Sequence, residues 1–367
     1  MQDPFEFADE FGPEKIVHIH VPSAELKAIV VIDNVACGPS IGGARMAEDV
    51  SLEECVRLAR AMTFKNAAAG LPHGGGKSVI VGDPHGDREM KERRIRAFAR
   101  AIEPLADYIV GPDMGTNETC MAWVKDEIGR SVGLPREIGG IPLDEIGATG
   151  LGVAVAAEVA TDFCDLELEG ARVAVQGFGA VGKFAARFLA ERGAVLVAAS
   201  DSQGTLHDAA GLDIEALFEL KQAGRSVVEH PKGEKQDRDA IVGIGCDIWI
   251  PAARPDVLRS DNVGALQARL VIQGANIPAT PEAEQILHDR GILSIPDFIA
   301  NAGGVICASV EYHEGTQRAA LETIEEKIRF NTRAVLENAR DRSILPRVAA
   351  VDLAARRVHN AMKLRRF

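Results

Sequence analysis

The stretch 171–201 constrains the fold of this chain more than any other. A short apolar run at 173–175 is typical of a buried parallel strand, and the apolar residues that follow recur at helical spacing until Gly193. A second apolar strand then ends at Asp201. Between the first strand and the helix, three glycines form the pattern G-x-G-x-x-G: Gly177, Gly179 and Gly182. The order strand, glycine turn, helix and strand predicts a β-α-β unit.

Each part of this unit suits a dinucleotide. The first glycine permits a tight turn, the second lets the backbone approach a pyrophosphate, and the third lets helix and strand pack closely. The helix N-terminus, which begins near Ala180 and Val181, offers free N–H groups to phosphates. Asp201, followed by Ser202, lies about 20 residues further on, where a carboxylate can accept hydrogen bonds from ribose hydroxyls. Glycines alone often serve only turns, but the agreement of all four parts predicts an NAD site.

Composition excludes several other classes of protein. The chain has 367 residues and a formal net charge of −13, which argues against nucleic acid as the main partner. No apolar run approaches the length of a membrane span, and the N-terminus lacks the apolar core of a signal peptide. The six cysteines are scattered without C-x-x-C spacing, so no metal site is expected. We therefore expect a cytoplasmic protein that does not bind membranes.

The length suits two domains. Strands and helices alternate in both halves, which predicts an α/β fold with two domains around a cleft. The expected division is an N-terminal domain (1–140) with a mainly parallel or mixed sheet, a Rossmann-type dinucleotide domain of about five strands (141–310), and C-terminal helices (311–367). Residues 1–26 are expected to contain a short helix before a first strand at Leu26–Val35.

The substrate half carries three candidate residues for chemistry: Lys65, Lys77 in G-G-G-K-S, and Asp113 in G-P-D-M-G-T. A phosphate-binding P-loop is excluded for Lys77, because that template needs glycine at Leu71 and a helix after the lysine. Each residue also has a purely structural interpretation. Lys77 could be a solvated lysine in a glycine turn, Lys65 a cation near the end of a helix, and Asp113 a turn or cap residue. Together they suit a small anion that bears a reactive carbon.

These residues lie in longer stretches that resemble the glutamate/leucine/phenylalanine/valine dehydrogenase family, the NAD(P)-dependent amino-acid dehydrogenases, over almost the whole chain. The matching stretches are G-P-S-I-G-G-A-R (38–45), M-T-F-K-N-A-A-A-G-L-P (62–72), G-G-G-K (74–77), G-P-D-M-G-T-N (111–117), A-T-G-L-G-V (148–153), Q-G-F-G-A-V-G (176–182), G-A-N-I-P-A-T-P-E-A (274–283) and P-D-F-I-A-N-A-G-G-V (296–305).

The resemblance implies a role for each matched position. Lys65 would hold the substrate α-carboxylate, Lys77 would polarise the 2-oxo group, and Asp113 would carry protons to and from the amino nitrogen. The reaction would be reversible oxidative deamination of an L-amino acid to a 2-oxo acid and ammonia. Beside those in the glycine turn, four residues would line the cofactor: Thr149, Ala252, Asn276 and Asn301.

Substrate choice in such a family depends on the side-chain pocket, for which Ile41, Gly42, Val305 and Ala308 are the candidates. The glutamate-specific members carry lysine where this chain has Ile41, and serine where it has Ala308. A side-chain carboxylate with neither partner would stay unpaired, at a cost of several kcal/mol. These two positions therefore favour an aliphatic or other apolar amino acid.

Other features keep alternatives open. Pro112–Asp113, Met121–Trp123 and Ser309–Tyr312 look closer to the glutamate enzymes, so glutamate dehydrogenase with a remodelled pocket is the second reading. A non-catalytic nucleotide-sensing protein is the third, although the intact lysines and aspartate argue against it. A carboxylate at Asp201 would repel a 2′-phosphate, which favours NAD while leaving NADP possible. The family resemblance also implies a homo-oligomer. It assigns substrate binding and oligomerisation to residues 1–140 and NAD binding to residues 141–310, with the C-terminal helices 311–367 packed back across the cleft.

Overall fold

The structure of the protein is a computed structural model that describes residues 5–365. The chain forms two compact units. The first contains residues up to Pro142 together with Val305–Ala320 and residues from Val351 onward, and the second contains Leu143–Gly304 and Leu321–Ala350. Within the described residues, no helix combines the length and the apolar character that crossing a membrane requires.

The first unit is built on a five-stranded mixed sheet. Its strands, in the spatial order β1-β2-β4-β3-β5, are β1 (Lys15–Val21), β2 (Leu26–Asn34), β3 (Ser40–Ala47), β4 (Gly74–Val81) and β5 (Tyr108–Pro112). Strands β3, β4 and β5 run parallel, whereas β1 and β2 are antiparallel additions. Three helices belong to the same segment of chain: α1 (Leu52–Ala68), α2 (Arg88–Ile102) and α3 (Glu118–Ile128).

The two faces of this sheet are covered by different helices. Helices α2 and α3 contribute Phe98, Ile102 and Met121 to the larger core, which includes Ile80 of β4. On the opposite face, α1 packs through Cys55 and its neighbours on β2 and β4. Ser51 is the N-cap of α1, because its side chain accepts a hydrogen bond from the Glu54 N–H at 3.1 Å, while the Glu54 carboxylate pairs with Arg45.

Strand β1 was not predicted from the sequence. A short helix was expected before Leu26, whereas the structure has β1 there, followed by a 3-10 turn, Pro22–Ala24, that leads into β2. Strand β1 pairs antiparallel with β2 along its whole length. Val17, Ile19 and Val21 alternate with two histidines, so the period-two signal for a strand is present in the sequence.

The second unit is built on a seven-stranded sheet in the order β12-β11-β10-β6-β7-β8-β9. Its strands are β6 (Arg172–Gln176), β7 (Val195–Asp201), β8 (Gly204–His207), β9 (Glu234–Gln236), β10 (Ile248–Pro251), β11 (Leu270–Ile272) and β12 (Leu293–Ile295). Its helices include α4 (Ala148–Thr161), α5 (Ala180–Ala190), α6 (Ile214–Gln222), α7 (Pro281–Asp289) and α8 (Asp297–Ala300). The five predicted strands form the parallel part, and strands β8 and β9 extend the sheet antiparallel beyond β7.

The predicted fold class is therefore confirmed, with a mixed sheet in one unit and a Rossmann-type sheet in the other. The C-terminal part of the chain forms helices α9 (Gly303–Tyr312), α10 (Gln317–Arg342) and α11 (Pro346–Met362), as expected. Their residues are divided between the two units. The expected boundaries at 140 and 310 and the packing of these helices across a cleft stay predictions.

Candidate functional site

The structure brings Lys77 and Asp113 together within the first unit. Lys77 lies on β4 and Asp113 directly follows β5, with β3 between the two strands. The Lys77 ammonium forms an ion pair with an Asp113 carboxylate oxygen. Gly43 of β3 makes this contact possible, since a Cβ there would lie 2.7 Å from the Asp113 Cβ and 3.3 Å from Lys77 Nζ. The lysine and aspartate singled out from the sequence are thus one charged pair across a glycine.

Arg45 adds a second cation to this pair. Its Nε lies 3.3 Å from Asp113 Oδ2, and its Nη1 lies 2.5 Å from Glu54. Burial raises the pKa of the Asp113 carboxyl, but the Lys77 ammonium and the Arg45 guanidinium outweigh burial and hold that pKa below its usual range. The Asp113 N–H donates to Thr116 Oγ1 at 3.0 Å, which fixes the loop. Asp113 is therefore an ionised carboxylate at neutral pH and can accept a proton.

Lys65 lies in the last turn of α1 and is half-buried. The next residue, Asn66, fixes this turn to the sheet, because its Nδ2 donates to the Gly74 carbonyl at 2.7 Å. Gly74 begins the strand that carries Lys77. This hydrogen bond therefore joins the last turn of α1, which carries Lys65, to the start of β4, the strand that carries Lys77.

An apolar cluster lies on the same sheet face as the charged pair. Ile41 is two residues before Gly43 on β3, so both point to one face of the sheet. Ile41 is only 4% exposed and packs with Ile109 and Val132. Ala308 and Tyr312 of α9 pack against these three side chains. The two positions predicted to decide substrate choice, Ile41 and Ala308, thus belong to one apolar cluster.

The other two pocket candidates lie differently. Gly42 points to the opposite sheet face, where a Cβ would meet the carbonyl oxygen of Gly76 at 1.6 Å, so it packs against backbone. Gly42 separates Ile41 from Gly43 on β3, and its place in a substrate pocket stays a prediction. Val305 lies in the first turns of α9 and is partly exposed.

His73 contacts the apolar cluster through Tyr312. Its ring packs edge-on against Tyr312, with ring centres 5.7 Å apart, and lies 5.3 Å from the ring of His313. Nδ1 contacts the Pro39 carbonyl at 3.1 Å, whereas the buried Nε2 has no hydrogen-bond partner among the described residues. Burial lowers the pKa of His73 to about 4, and His313 adds to this effect. His73 is therefore neutral at physiological pH.

The glycine turn of the second unit has the geometry that the sequence predicts. Gly177 has a φ of +94°, which favours glycine, and Gly182 lies so close to the turn that a Cβ would meet the Gly177 carbonyl at 2.0 Å. At Gly179, in contrast, a Cβ would meet nothing within 4 Å. Gly179 is the N-cap of α5 and provides no side-chain cap, so the N–H groups that begin with Ala180 and Val181 are offered to a ligand.

Asp201 ends β7 as expected, but its carboxylate has other partners. Oδ1 accepts hydrogen bonds from Gln203 N (3.0 Å) and Ser226 Oγ (2.8 Å), and Oδ2 from Lys221 Nζ (2.9 Å) and Val227 N (3.0 Å). Burial raises its pKa, and these donors, led by Lys221, lower it further than burial raises it. A carboxylate has about four acceptor positions, so all of them are in use. A ribose hydroxyl would have to replace one of these donors.

Two of the remaining cofactor candidates follow parallel strands at their carboxyl ends, where open α/β sheets bind ligands: Ala252 follows β10 and Asn276 follows β11. The Ala252 N–H donates to the carbonyl of Gln176, the last residue of β6, at 2.7 Å. Asn301 Nδ2 donates to Asn276 Oδ1 at 2.9 Å. Thr149 lies in the first turn of α4, and its hydroxyl faces Gly304: a Cβ added to Gly304 would lie 3.2 Å from Thr149 Oγ1. Ser202 is exposed beside Asp201.

These residues fit a dinucleotide. The space at Gly179 and the open helix N-terminus suit a pyrophosphate, and the amides of Asn276 and Asn301 suit a nicotinamide ribose or its ring. No group of three or more metal-ligating side chains occurs within residues 5–365.

Comparisons with known proteins agree with this geometry. The family model for Glutamate/Leucine/Phenylalanine/Valine dehydrogenase matches residues 139–366, and the model for the dimerisation domain of the Glu/Leu/Phe/Val dehydrogenases matches residues 13–130. The chain belongs to this family of amino-acid dehydrogenases.

Relatives of known sequence are mostly glutamate enzymes. A glutamate dehydrogenase from Thermotoga maritima is 40% identical over 355 residues, covering 90% of this chain and 84% of the relative. A glutamate dehydrogenase from Aeropyrum pernix is 38% identical over 358 residues, covering 90% of this chain and 85% of the relative.

Solved structures show the same fold. The hetero-hexameric glutamate dehydrogenase from Thermus thermophilus, in a Leu-bound form, has a TM-score of 0.85 at 29% identity and covers 97% of this chain and 90% of its own. An L-tryptophan dehydrogenase from Nostoc punctiforme has a TM-score of 0.76 at 28% identity, covering 96% of this chain and 98% of its own. The family resemblance and the class, an NAD(P)-dependent amino-acid dehydrogenase, are thus confirmed, whereas the side chain of the substrate is not decided by these comparisons.

Two contributions to this dehydrogenase site were missed from the sequence. Arg45, which ends the matched stretch G-G-A-R, contacts Asp113, and a period-two reading of β3 from Gly43 could have placed it on that face. Lys221 comes from α6, twenty residues after its partner Asp201, and no local pattern indicates that it lies there.

Proposed function

We propose that the protein catalyses the reversible, NAD-dependent oxidative deamination of an apolar L-amino acid to its 2-oxo acid and ammonia. The observation that carries the choice of substrate is the apolar cluster of Ile41, Ile109, Val132, Ala308 and Tyr312 on the sheet face of the Lys77–Asp113 pair. Four of its five side chains are aliphatic and cannot form hydrogen bonds with a polar substrate group. A branched or aromatic substrate side chain could bury its surface there.

Burial of a side-chain carboxylate, such as that of glutamate, in the same cluster would be unfavourable. None of the five cluster residues carries a positive charge, and the neighbouring His73 is neutral because burial lowers its pKa to about 4. An unpaired carboxylate costs several kcal/mol to bury. Small Ala308 also leaves more room than a larger residue would. These features support leucine-like substrates over glutamate.

The residues of the charged pair would share the proton transfers. Lys65 would bind the α-carboxylate, and Asp113 would take a proton from the α-ammonium group, which leaves a neutral amine. The glycine turn at Gly177–Gly182, together with Asn276 and Asn301, would hold NAD⁺, which would supply the acceptor for the hydride that leaves Cα. Lys77 would then stabilise the developing oxygen charge as water adds to the imine carbon and ammonia leaves. The balance is amino acid, water and NAD⁺ giving 2-oxo acid, ammonium, NADH and a proton.

Asp201 supports NAD as the cofactor, in a weaker form than the sequence suggested. A carboxylate at the ribose still disfavours a 2′-phosphate, but Lys221 lies 2.9 Å from it and neutralises part of its charge. The proposal is therefore a preference for NAD in which NADP also serves. Relatives of both kinds occur, including an NAD-specific glutamate dehydrogenase from Staphylococcus aureus and an NADP-specific one from Saccharolobus shibatae.

Glutamate is the second candidate substrate, and one specific observation favours it: the relatives from Thermotoga maritima and Aeropyrum pernix are both glutamate dehydrogenases. We also propose that the protein assembles into a homo-oligomer, because residues 13–130 match a domain described as a dimerisation domain.

A panel of L-amino acids, assayed by NADH formation with NAD or NADP, tests the proposal. We expect leucine, valine, norleucine or phenylalanine to give the highest kcat/KM, and NAD to give a lower KM than NADP. Glutamate as the best substrate would establish the second candidate instead. NADH binding without turnover of any amino acid would indicate a nucleotide-sensing protein.

A further inference from the structure

We propose that Arg347 and Asp297 are positioning residues that hold the loop 274–277 in the conformation needed to bind the cofactor. The proposal rests on the proposed function in one respect, namely that Asn276 in this loop contacts the dinucleotide. All residues involved belong to the second unit.

Arg347 forms a network with two buried carboxylates. Its Nε lies 2.8 and 2.6 Å from the two oxygens of Glu284, and its Nη2 lies 2.9 Å from Asp297 Oδ1. The same Nη2 donates to Gln273 Oε1 at 2.8 Å, while Gln273 Nε2 donates to Glu284 at 2.7 Å. The side chains of Glu284 and Asp297 are 6% and 10% exposed, so Arg347 is what compensates their charge. The network fixes the Asp297 carboxylate in one orientation.

The second oxygen of Asp297 binds the loop. Asp297 Oδ2 accepts a hydrogen bond from the Ile277 main-chain N–H at 2.9 Å, and the Ile277 carbonyl accepts one from Asp256 N at 3.0 Å. Ile277 has a φ of +41°, a conformation that β-branched residues rarely adopt. Its side chain is 52% exposed, so packing of that side chain does not explain the conformation. The hydrogen bond from Asp297 is therefore a main support of a strained residue.

The strained residue directly follows Asn276. The Asn276 amide oxygen accepts from Asn301 Nδ2 at 2.9 Å, and Asn301 Nδ2 lies 3.3 Å from the Gly274 carbonyl. The Asn301 main-chain N–H also donates to the Asp297 carbonyl at 2.7 Å. Asp297 thus contacts both segments that carry the candidate cofactor amides, one through its side chain and the other through its backbone. Relaxation of Ile277 would move Asn276 away from its partner.

The test compares NADH binding by Asp297→Asn with binding by the wild-type protein, measured by fluorescence titration without turnover. An Asn side chain has one acceptor oxygen, so it can serve Arg347 or Ile277 but not both. We expect the Kd for NADH to rise about tenfold, with the KM for the amino acid changed far less. Arg347→Lys, which keeps the charge but loses the paired contacts, should shift the Kd in the same direction.

Ile277→Gly provides the control for strain, because glycine adopts positive φ without cost. In that background the loop needs less support, so Asp297→Asn should raise the Kd by about twofold or less. Arg340→Met removes an exposed arginine of α10 and should leave the Kd unchanged. Equal effects of Asp297→Asn in both backgrounds, or an unchanged Kd in the single variant, would overturn the proposal. Because NADH binding is read without an amino acid, a wrong substrate assignment does not alter this result.

Discussion

The two candidate binding regions of this dehydrogenase are built on opposite plans. In the first unit, the candidate site consists of charged side chains that pair with one another: Lys77, Asp113 and Arg45. An apolar cluster lies beside them on the same face of the sheet. In the second unit, the turn at Gly179 leaves open space and offers backbone N–H groups instead of side chains. Under the proposed function, chemistry would depend on a few titratable side chains in one unit, and nucleotide binding on backbone shape in the other.

This difference separates the expected effects of mutation. Removal of a charged side chain from the pair should affect turnover and leave nucleotide affinity intact, because the nucleotide turn belongs to another unit. Addition of a methyl group at the turn should have the reverse effect. A variant that changes both quantities equally would contradict the division.

The largest effect is expected for Lys77→Ala. The variant loses the cation that would stabilise charge on the substrate oxygen, so kcat should fall by about 10³- to 10⁴-fold. The Kd for NADH should stay within about twofold of wild type, because the glycine turn is built from residues of the second unit. Lys15→Ala, which removes an exposed ion pair with Asp107, is the matched control and should keep full activity. Retained turnover in the Lys77 variant would refute its assigned role.

His73 tests whether the first region is closed to water. Its pKa falls from 6.5 to about 4 in the folded protein, so the unfolded chain binds this proton more readily. The stability that depends on neutral His73 is fully present above pH 6.5 and is lost as the pH falls towards 4. In His73→Asn, which retains a donor for Pro39, this loss of about 3 kcal/mol should disappear.

Urea unfolding at pH 7.5 and pH 4.5 measures this difference. His85→Asn, at an exposed loop position, should behave like wild type. An equal acid sensitivity of His73→Asn and wild type would show that His73 titrates as an ordinary exposed histidine.

Gly179→Ala tests the open turn of the second unit. The added Cβ meets no protein atom within 4 Å, so the free energy of unfolding should not change. It would instead occupy space needed by the pyrophosphate, and the Kd for NADH should rise about 30-fold, or about 2 kcal/mol. Gly182→Ala is the informative contrast, because its Cβ would clash with the Gly177 carbonyl and should lower the melting temperature as well. Unchanged NADH affinity in Gly179→Ala would place the pyrophosphate elsewhere.

The smallest effect concerns Lys221, whose ammonium pairs with Asp201 at the end of β7. Lys221→Met leaves the negative charge of Asp201 without this cation, so the ratio of KM for NADP to KM for NAD should rise about fivefold, or about 1 kcal/mol. Lys221→Arg should keep the wild-type ratio. An unchanged or lower ratio for Lys221→Met would show that Asp201 does not face the ribose.

The same contrast explains how much could be predicted from the sequence. The Gly177–Gly182 turn, its flanking strands and α5 are local features, and short-range periodicity and glycine spacing predict them correctly. The meeting of Lys77 with Asp113 depends on β3 lying between β4 and β5, an order that no local pattern specifies. Reasoning from the residues grouped Lys77 and Asp113 only as charges of one domain, and the family resemblance gave them complementary roles.

Side-chain partners were the least predictable part. The Asp201 carboxylate was expected to accept hydrogen bonds from a ribose. In the structure it accepts them from three residues that follow it by 20 to 26 positions: Lys221, Ser226 and Val227. The Arg347 network joins segments up to 74 residues apart. Such contacts depend on how helices pack on the sheet, which hydrophobic patterns do not specify in detail.

The measurement that tests the account most directly is the ratio of kcat/KM for L-leucine to that for L-glutamate, in wild type and in the double variant Ile41→Lys, Ala308→Ser. The wild-type ratio should exceed about 100, because a glutamate carboxylate would be buried unpaired against Ile41 and Ala308. The double variant supplies a cation and a hydroxyl, so the ratio should fall below one. Glutamate preferred by the wild-type protein, or the same ratio in both proteins, would contradict the claim that this apolar cluster selects the substrate.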